Sequence, residues 1–176
     1  MRFTDAFLLA TLASASGTTD SELLIQGIEN PLQAFTWQMT QNKLSVIETM
    51  TAVGELASQL QVGVAALEKA AVGGSEHNAS LLLLGRKFAG IGLFIKSMVL
   101  RRKPIVEAHS RCYDMEHAID DIQVQFYKLG LYINSTVAAE DKTNAFSYTE
   151  GILEILNGAK GEFTKDHCVD AEPRST

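Results

Sequence analysis

Apolar residues recur along this chain at helical spacing. From Pro104 to Asn134, Ile105, Ala108, Cys112, Met115, Ile119, Ile122, Phe126, Leu129 and Ile133 step by three and four without a miss. That pattern predicts a helix of about eight turns with one buried stripe. Its wet face carries Glu107, Arg111, Asp114, Glu116, Asp120 and Lys128, with Glu107 and Arg111 placed to pair at i,i+4. Upstream, Val46, Met50, Val53, Ala57, Leu60, Val64, Leu67 and Ala71 form a second stripe, ended by Gly73-Gly74. Leu81, Leu84, Phe88, Ile91, Ile95 and Met98 form a third, on a helix starting near residues 75–78 and running to Arg101-Arg102-Lys103. That basic run suits the negative end of a helix dipole, and Pro104 suits the first position of the next helix.

The ends of the domain read less regularly. Asn30-Pro31 predicts a helix start, with Leu32, Phe35 and Met39 on one face and a break near Asn42. Residues 16–29 are a lead-in, helical around 21–28. Ser45 followed by Glu48 is a capping box that restarts the helix. A last helix spans about Val137 to Ala159 through Ala145, Tyr148, Ile152, Ile155 and Ala159, and Gly130 and Asn134-Ser135-Thr136 loosen the end of the long helix before it. There is no strand signal. Helices joined by short turns predict an all-α fold, an antiparallel bundle of four to five helices over residues 30–163 with a polar tail at 164–176.

Composition and short motifs add further constraints. A hydrophobic fraction of 46% is enough for a real core, and a net charge of −6 leaves no electrostatic footprint for nucleic acid. Residues 1–15 read as a signal peptide: Arg2, the apolar run from Ala6 to Leu12, and the small-residue site Ala13-Ser14-Ala15. They place the mature protein outside the cell, and no stretch approaches the ~20 apolar residues of a membrane span. In that compartment Cys112 and Cys168 can form a disulfide tying the tail to the long helix, although a buried free thiol at Cys112 is equally ordinary. Asn78-Ala79-Ser80 and Asn134-Ser135-Thr136 are glycosylation sequons near predicted helix ends.

Chemistry is sparse. Asp114 and His117 have the spacing of a di-iron carboxylate–histidine pair, but a second pair is missing: Glu150 is followed at that spacing by Leu153. His109 and Asp121 do not share the Asp114 seam, and His77 and His167 read as exposed loop and tail residues. There is no Gly-x-Ser-x-Gly, no phosphate-binding glycine loop, and Cys112 on an apolar seam is poorly placed to ionise. No enzyme, metal or cofactor is implied. Apolar surplus is the remaining signal: Leu82, Leu83, Leu93, Phe94, Val99 and Leu100 widen the third helix beyond one stripe. These side chains either pack together or border a ligand tunnel.

The order of features, with Met98-Val99-Leu100-Arg101-Arg102-Lys103-Pro104-Ile105 at one helix junction and Leu129-x-x-Tyr132-Ile133-Asn134-Ser135-Thr136-Val137 at the next, resembles the hydrophobic surface-binding protein A family, which includes fungal cell-wall galactomannoproteins and antigenic mannoproteins. Ala138 stands where that family usually has proline. The resemblance implies a secreted, non-enzymatic, cell-wall-associated glycoprotein that binds hydrophobic surfaces, or a fatty-acid-like lipid between its helices. Phe88, Ile91, Ile95, Met98, Met115, Ile122 and Phe126 are the seam positions able to line such a pocket. The alternatives are a small secreted effector or inhibitor that binds another protein through its outer surface, and a structural wall protein held by its glycans.

Overall fold

The computed structural model describes residues 20–41, 44–70 and 75–171. The signal-peptide reading, residues 16–19, the break at Asn42, Ala71, Gly73-Gly74 and residues 172–176 lie outside them. The described residues form α1 (Asp20–Thr40), α2 (Val46–Ala70), α3 (Ser75–Arg86), α4 (Phe88–Ala108), α5 (Cys112–Thr136) and α6 (Lys142–Gly161), with a 3-10 turn at Ala139–Asp141. Lys87 alone separates α3 from α4, so counting them as one interrupted helix gives five. The described residues contain no strand, and the protein is an all-α bundle.

Two stripes bury much as their spacing requires. Val53, Leu60, Val64 and Leu67 of α2 and Met115, Ile119, Ile122, Phe126, Leu129 and Ile133 of α5 are almost wholly covered. Each such side chain contributes about 1.5–3 kcal/mol of burial. The Ser45 capping box forms in both directions: Ser45 N–H donates to Glu48 Oε2 at 2.7 Å, and Glu48 N–H donates to Ser45 Oγ at 3.2 Å. Those bonds hold the Glu48 carboxyl below its ordinary range, the Ser45 backbone bond contributing most.

The two prolines read as helix starts differ from that reading. Pro31 lies inside α1, which begins at Asp20, and Pro104 lies inside α4. Each leaves the carbonyl four residues earlier without its helical donor. For Pro31 that carbonyl belongs to Gly27, and α2 packs against it at Gly63, where a Cβ would fall 2.7 Å from Gly27 O. For Pro104, Val99 and Val106 on either side are fully buried and hold the helix in place. The break expected at Pro104 occurs instead at His109–Arg111. There Ser110 takes φ 55°, Ser110 N–H donates to Glu107 O at 3.1 Å, and Arg111 N–H donates to Val106 O at 3.0 Å. This is a Schellman stop with serine in the left-handed position. It rotates the upstream seam: Val106 is buried and Ala108 is exposed. Arg111 pairs with Asp114 at 2.6 Å rather than with Glu107.

Helices α1 and α2 form an antiparallel hairpin, read from the Gly27–Gly63 and Gln38–Glu55 contacts. Helices α5 and α6 form another, read from Lys160–Asp120 and Gln123–Leu153. The two hairpins join through α2 and α5, and α4 packs along α6 in parallel. Helix α3 crosses one end of the bundle, touching α1, α5 and α6. His77 is therefore covered, not exposed: it is 1% accessible, and its Nε2 shares a 3.1 Å hydrogen bond with Tyr132 OH. At the other end, residues 162–171 fold over the α4–α5 turn, and a disulfide joins Cys112 to Cys168 with Cα atoms 5.8 Å apart.

Candidate functional site

The neighbour order α1, α2, α5, α6, α4 nearly closes into a ring. Every seam in it is densely packed except the last, between α4 and α1. Along that seam runs a cleft of about 380 Å³, lined by Leu32, Phe35 and Thr36 from α1, by Gly90, Ile91, Phe94 and Ile95 from α4, and by Lys87 between α3 and α4. The size falls within the usual range of small-molecule sites, about 300–1,000 Å³. Phe35 and Phe94 meet edge to face across it, with ring centroids 6.4 Å apart. There is free space beside Gly90: a Cβ there would meet nothing within 4 Å.

Charged or polar contacts bridge α1 and α4 toward both ends. Lys87 Nζ donates to Glu29 Oε1 at 2.5 Å. Arg102 Nη2 donates to Met39 O at 3.1 Å and Gln41 O at 2.6 Å, closing the C-terminal end of α1. The pairs 29–87, 35–94 and 39–102 increase together, so α1 and α4 run parallel. At 1.5 Å per residue the strapped length from Glu29 to Gln41 is roughly 18 Å. The Thr36 hydroxyl is spent on Leu32 O at 2.7 Å. Lys87 is thus the sole charged group among the lining residues.

Of the seven seam positions expected to line a pocket, Ile91 and Ile95 do so. Phe88, Met98, Met115, Ile122 and Phe126 are core instead, and Phe88 and Phe126 pack against each other edge to face at 5.5 Å. Leu32, Phe35, Thr36, Lys87, Gly90 and Phe94 were not anticipated as a group. The surplus apolar width of the third helix was the signal for Phe94; the α1 contribution depends on which helices are neighbours.

The remaining chemistry-bearing residues stand apart from the cleft. His117 meets Tyr113 edge to face, with centroids 4.0 Å apart, and Asp114 is held by Arg111. Among the described residues no group of three His, Cys, Asp or Glu is placed to hold a metal, and no helix is long and apolar enough to cross a membrane. Asn78 lies in the first turns of α3 and Asn134 in the last turn of α5, both half-buried.

No family profile matches the chain, and no curated protein sequence does. Among solved structures the fold is similar to ligand binding domain 1 of the Penicillium marneffei MP1 protein, a domain solved in complex with arachidonic acids. The TM-score is 0.66 at 11% identity, over 81% of this chain and 95% of that one. At that identity the likeness is one of fold.

Proposed function

We propose that this is a secreted, non-enzymatic lipid-binding protein of the fungal cell-wall mannoprotein kind, and that it takes an aliphatic chain into the α1–α4 cleft. The observation that carries the reading is the cleft itself: a slot of about 380 Å³ with an apolar lining, placed at the one loosely packed seam of an otherwise dense ring. The shared fold with a domain that holds arachidonic acids supports it. The signal-peptide pattern of residues 1–15 supports secretion, and the sequons at Asn78 and Asn134 would then be glycan sites that hold the protein to the wall.

Native mass spectrometry of the secreted protein tests the reading. The expected result is a co-purified lipid mass, lost on delipidation and regained on titration with a long-chain fatty acid. Gly90→Leu should fill the open space in the cleft and abolish loading, while the fold and its thermal stability are kept. A wild-type protein that carries and regains no lipid would sink the reading. A second reading has its own observation: Val124, Tyr127 and Leu131 lie exposed along α5 at spacings of three and four. Such a stripe suits adsorption to a hydrophobic surface or to a partner protein. Replacing all three with Ser should abolish adsorption to hydrophobic beads and leave lipid loading intact.

A further inference from the structure

Lys87 occupies the single residue between α3 and α4, at the end of the cleft where Glu29 of α1 reaches across. It is the only lining residue with a charge, and the other seven offer hydrocarbon, a glycine, or a hydroxyl already bonded to Leu32 O. Glu29 is not part of the lining; its carboxylate holds Lys87 from the rim. We propose that Lys87 is the head-group anchor of the cleft, that Glu29 is its partner when the site is empty, and that the site therefore selects single-chain amphiphiles ending in a carboxylate over neutral ones. This rests on the lipid-binding reading above.

The geometry supplies each part. In the protein by itself Glu29 provides the carboxylate that Lys87 faces, at 2.5 Å. An ammonium has three N–H donors and one goes to Glu29, so a ligand carboxylate brought to the same group adds a second charge-assisted hydrogen bond. Glu29 need not leave, and its repulsion of the incoming carboxylate is damped, because both side chains keep contact with water, at 49% and 29% accessibility. A neutral hydroxyl can also accept from the ammonium, but without an opposite charge of its own it gains less than a carboxylate does. The apolar part of the ligand then follows the cleft away from Lys87, past Gly90 and Ile91, toward the Phe35–Phe94 pair and Ile95. The far strap does not compete, because Arg102 is committed to two carbonyls at the end of α1.

The test is a titration of the delipidated full-length protein with hexadecanoate and, separately, hexadecan-1-ol, in wild type, Lys87→Met and Glu29→Gln. Wild type should bind the acid about tenfold more tightly than the alcohol. Lys87→Met should weaken the acid by about tenfold and leave the alcohol within twofold. Glu29→Gln should strengthen the acid severalfold, since its repulsion of the ligand is gone, and leave the alcohol unchanged. If both lipids bind wild type and Lys87→Met weakens both equally or neither, the anchor is overturned while the cleft reading stands. If Glu29→Gln weakens the acid, Glu29 is an orienting group and its repulsive role is overturned. If neither lipid binds wild type, the cleft reading itself fails, and the anchor with it. Lys87 and Glu29 lie outside the core, and helical circular dichroism of each variant confirms folding before binding is compared.

Discussion

Among the described glycines, the one with least room for a side chain is Gly130 of α5. It faces Thr149 of α6 so closely that a Cβ on it would fall 2.2 Å from Thr149 Cγ2 and 2.4 Å from Oγ1. Thr149 cannot easily turn away, because its Oγ1 donates to Ala145 O at 3.0 Å and its side chain is buried. Far from loosening the helix end, this glycine lets α5 and α6 approach. Gly→Ala in a helix ordinarily gains about 1 kcal/mol from propensity; here overpacking should reverse the sign. Gly130→Ala is expected to destabilise by about 1–3 kcal/mol in denaturant unfolding, and Thr149→Ala in the same chain should recover part of the loss as a favourable coupling. His77 yields a second expectation. Burial pushes its imidazolium pKa down, whereas the unfolded chain protonates near the ordinary value of about 6.5. The unfolded state therefore binds more protons as pH falls below about 6.5. The stability contributed by neutral His77 is whole above that pH and is lost toward the lowered folded pKa. Melting temperatures measured from pH 7.5 to 5 should fall in wild type and fall less in His77→Phe; parallel curves would remove His77 from the acid response.

At the scale of elements, the helix starts and stops show what local chemistry controls. Ser45 and Glu48 satisfy each other's backbone amides in the first turn of α2, so Ser45→Ala should cost about 1 kcal/mol, read as a lower denaturant midpoint with an unchanged slope. An unchanged midpoint would mean that packing alone sets where α2 begins. The same locality explains which parts of the fold were legible. The capping box and the stripes of α2 and α5 depend on residues three and four apart, and the structure matches them. Pro31 and Pro104 read as helix starts because proline suits that position. Tertiary packing overrode the preference, through Gly63 against the orphaned Gly27 carbonyl and through Val99 and Val106 around Pro104. The stop after α4 was hidden because Ile105, Ala108 and Cys112 keep helical spacing straight through it. Its signal, a serine at positive φ, carries no glycine to mark it. The cleft was half legible for a related reason. Excess apolar width on one helix can be read from sequence, but that α1 rather than α5 faces it follows from the topology, so Phe88, Met115, Ile122 and Phe126 went to the core.

At the scale of the whole molecule, the ring has one cleft and one stapled end, and they are far apart. From Ile95 at the cleft to Ala108 at the end of α4 is about 20 Å along the helix axis. At that far end the tail is fixed by several bonds. Ala171 N–H donates to Glu107 O at 2.9 Å, Ser110 Oγ donates to Ala171 O at 2.8 Å, and Cys112 N–H donates to Asp170 Oδ1 at 3.1 Å, so the tail caps the start of α5. The Cys112–Cys168 bridge spans 56 positions and encloses the entire α5–α6 hairpin. A loop of that length restricts the unfolded chain substantially, so Cys112→Ser with Cys168→Ser should lose roughly 2–4 kcal/mol. The same loss should appear in wild type on adding reductant, and reductant should do nothing further to the double variant. Lipid loading, by contrast, should survive both treatments at temperatures where the protein stays folded, because neither the tail nor the turn contributes to the cleft lining. Denaturant titration paired with native mass spectrometry on the same samples separates the two effects. A reduced protein that keeps its stability but no longer carries lipid would show that the stapled end controls the cleft. A reduced protein that is less stable and still loaded would show that the staple and the lipid site are independent parts of one bundle.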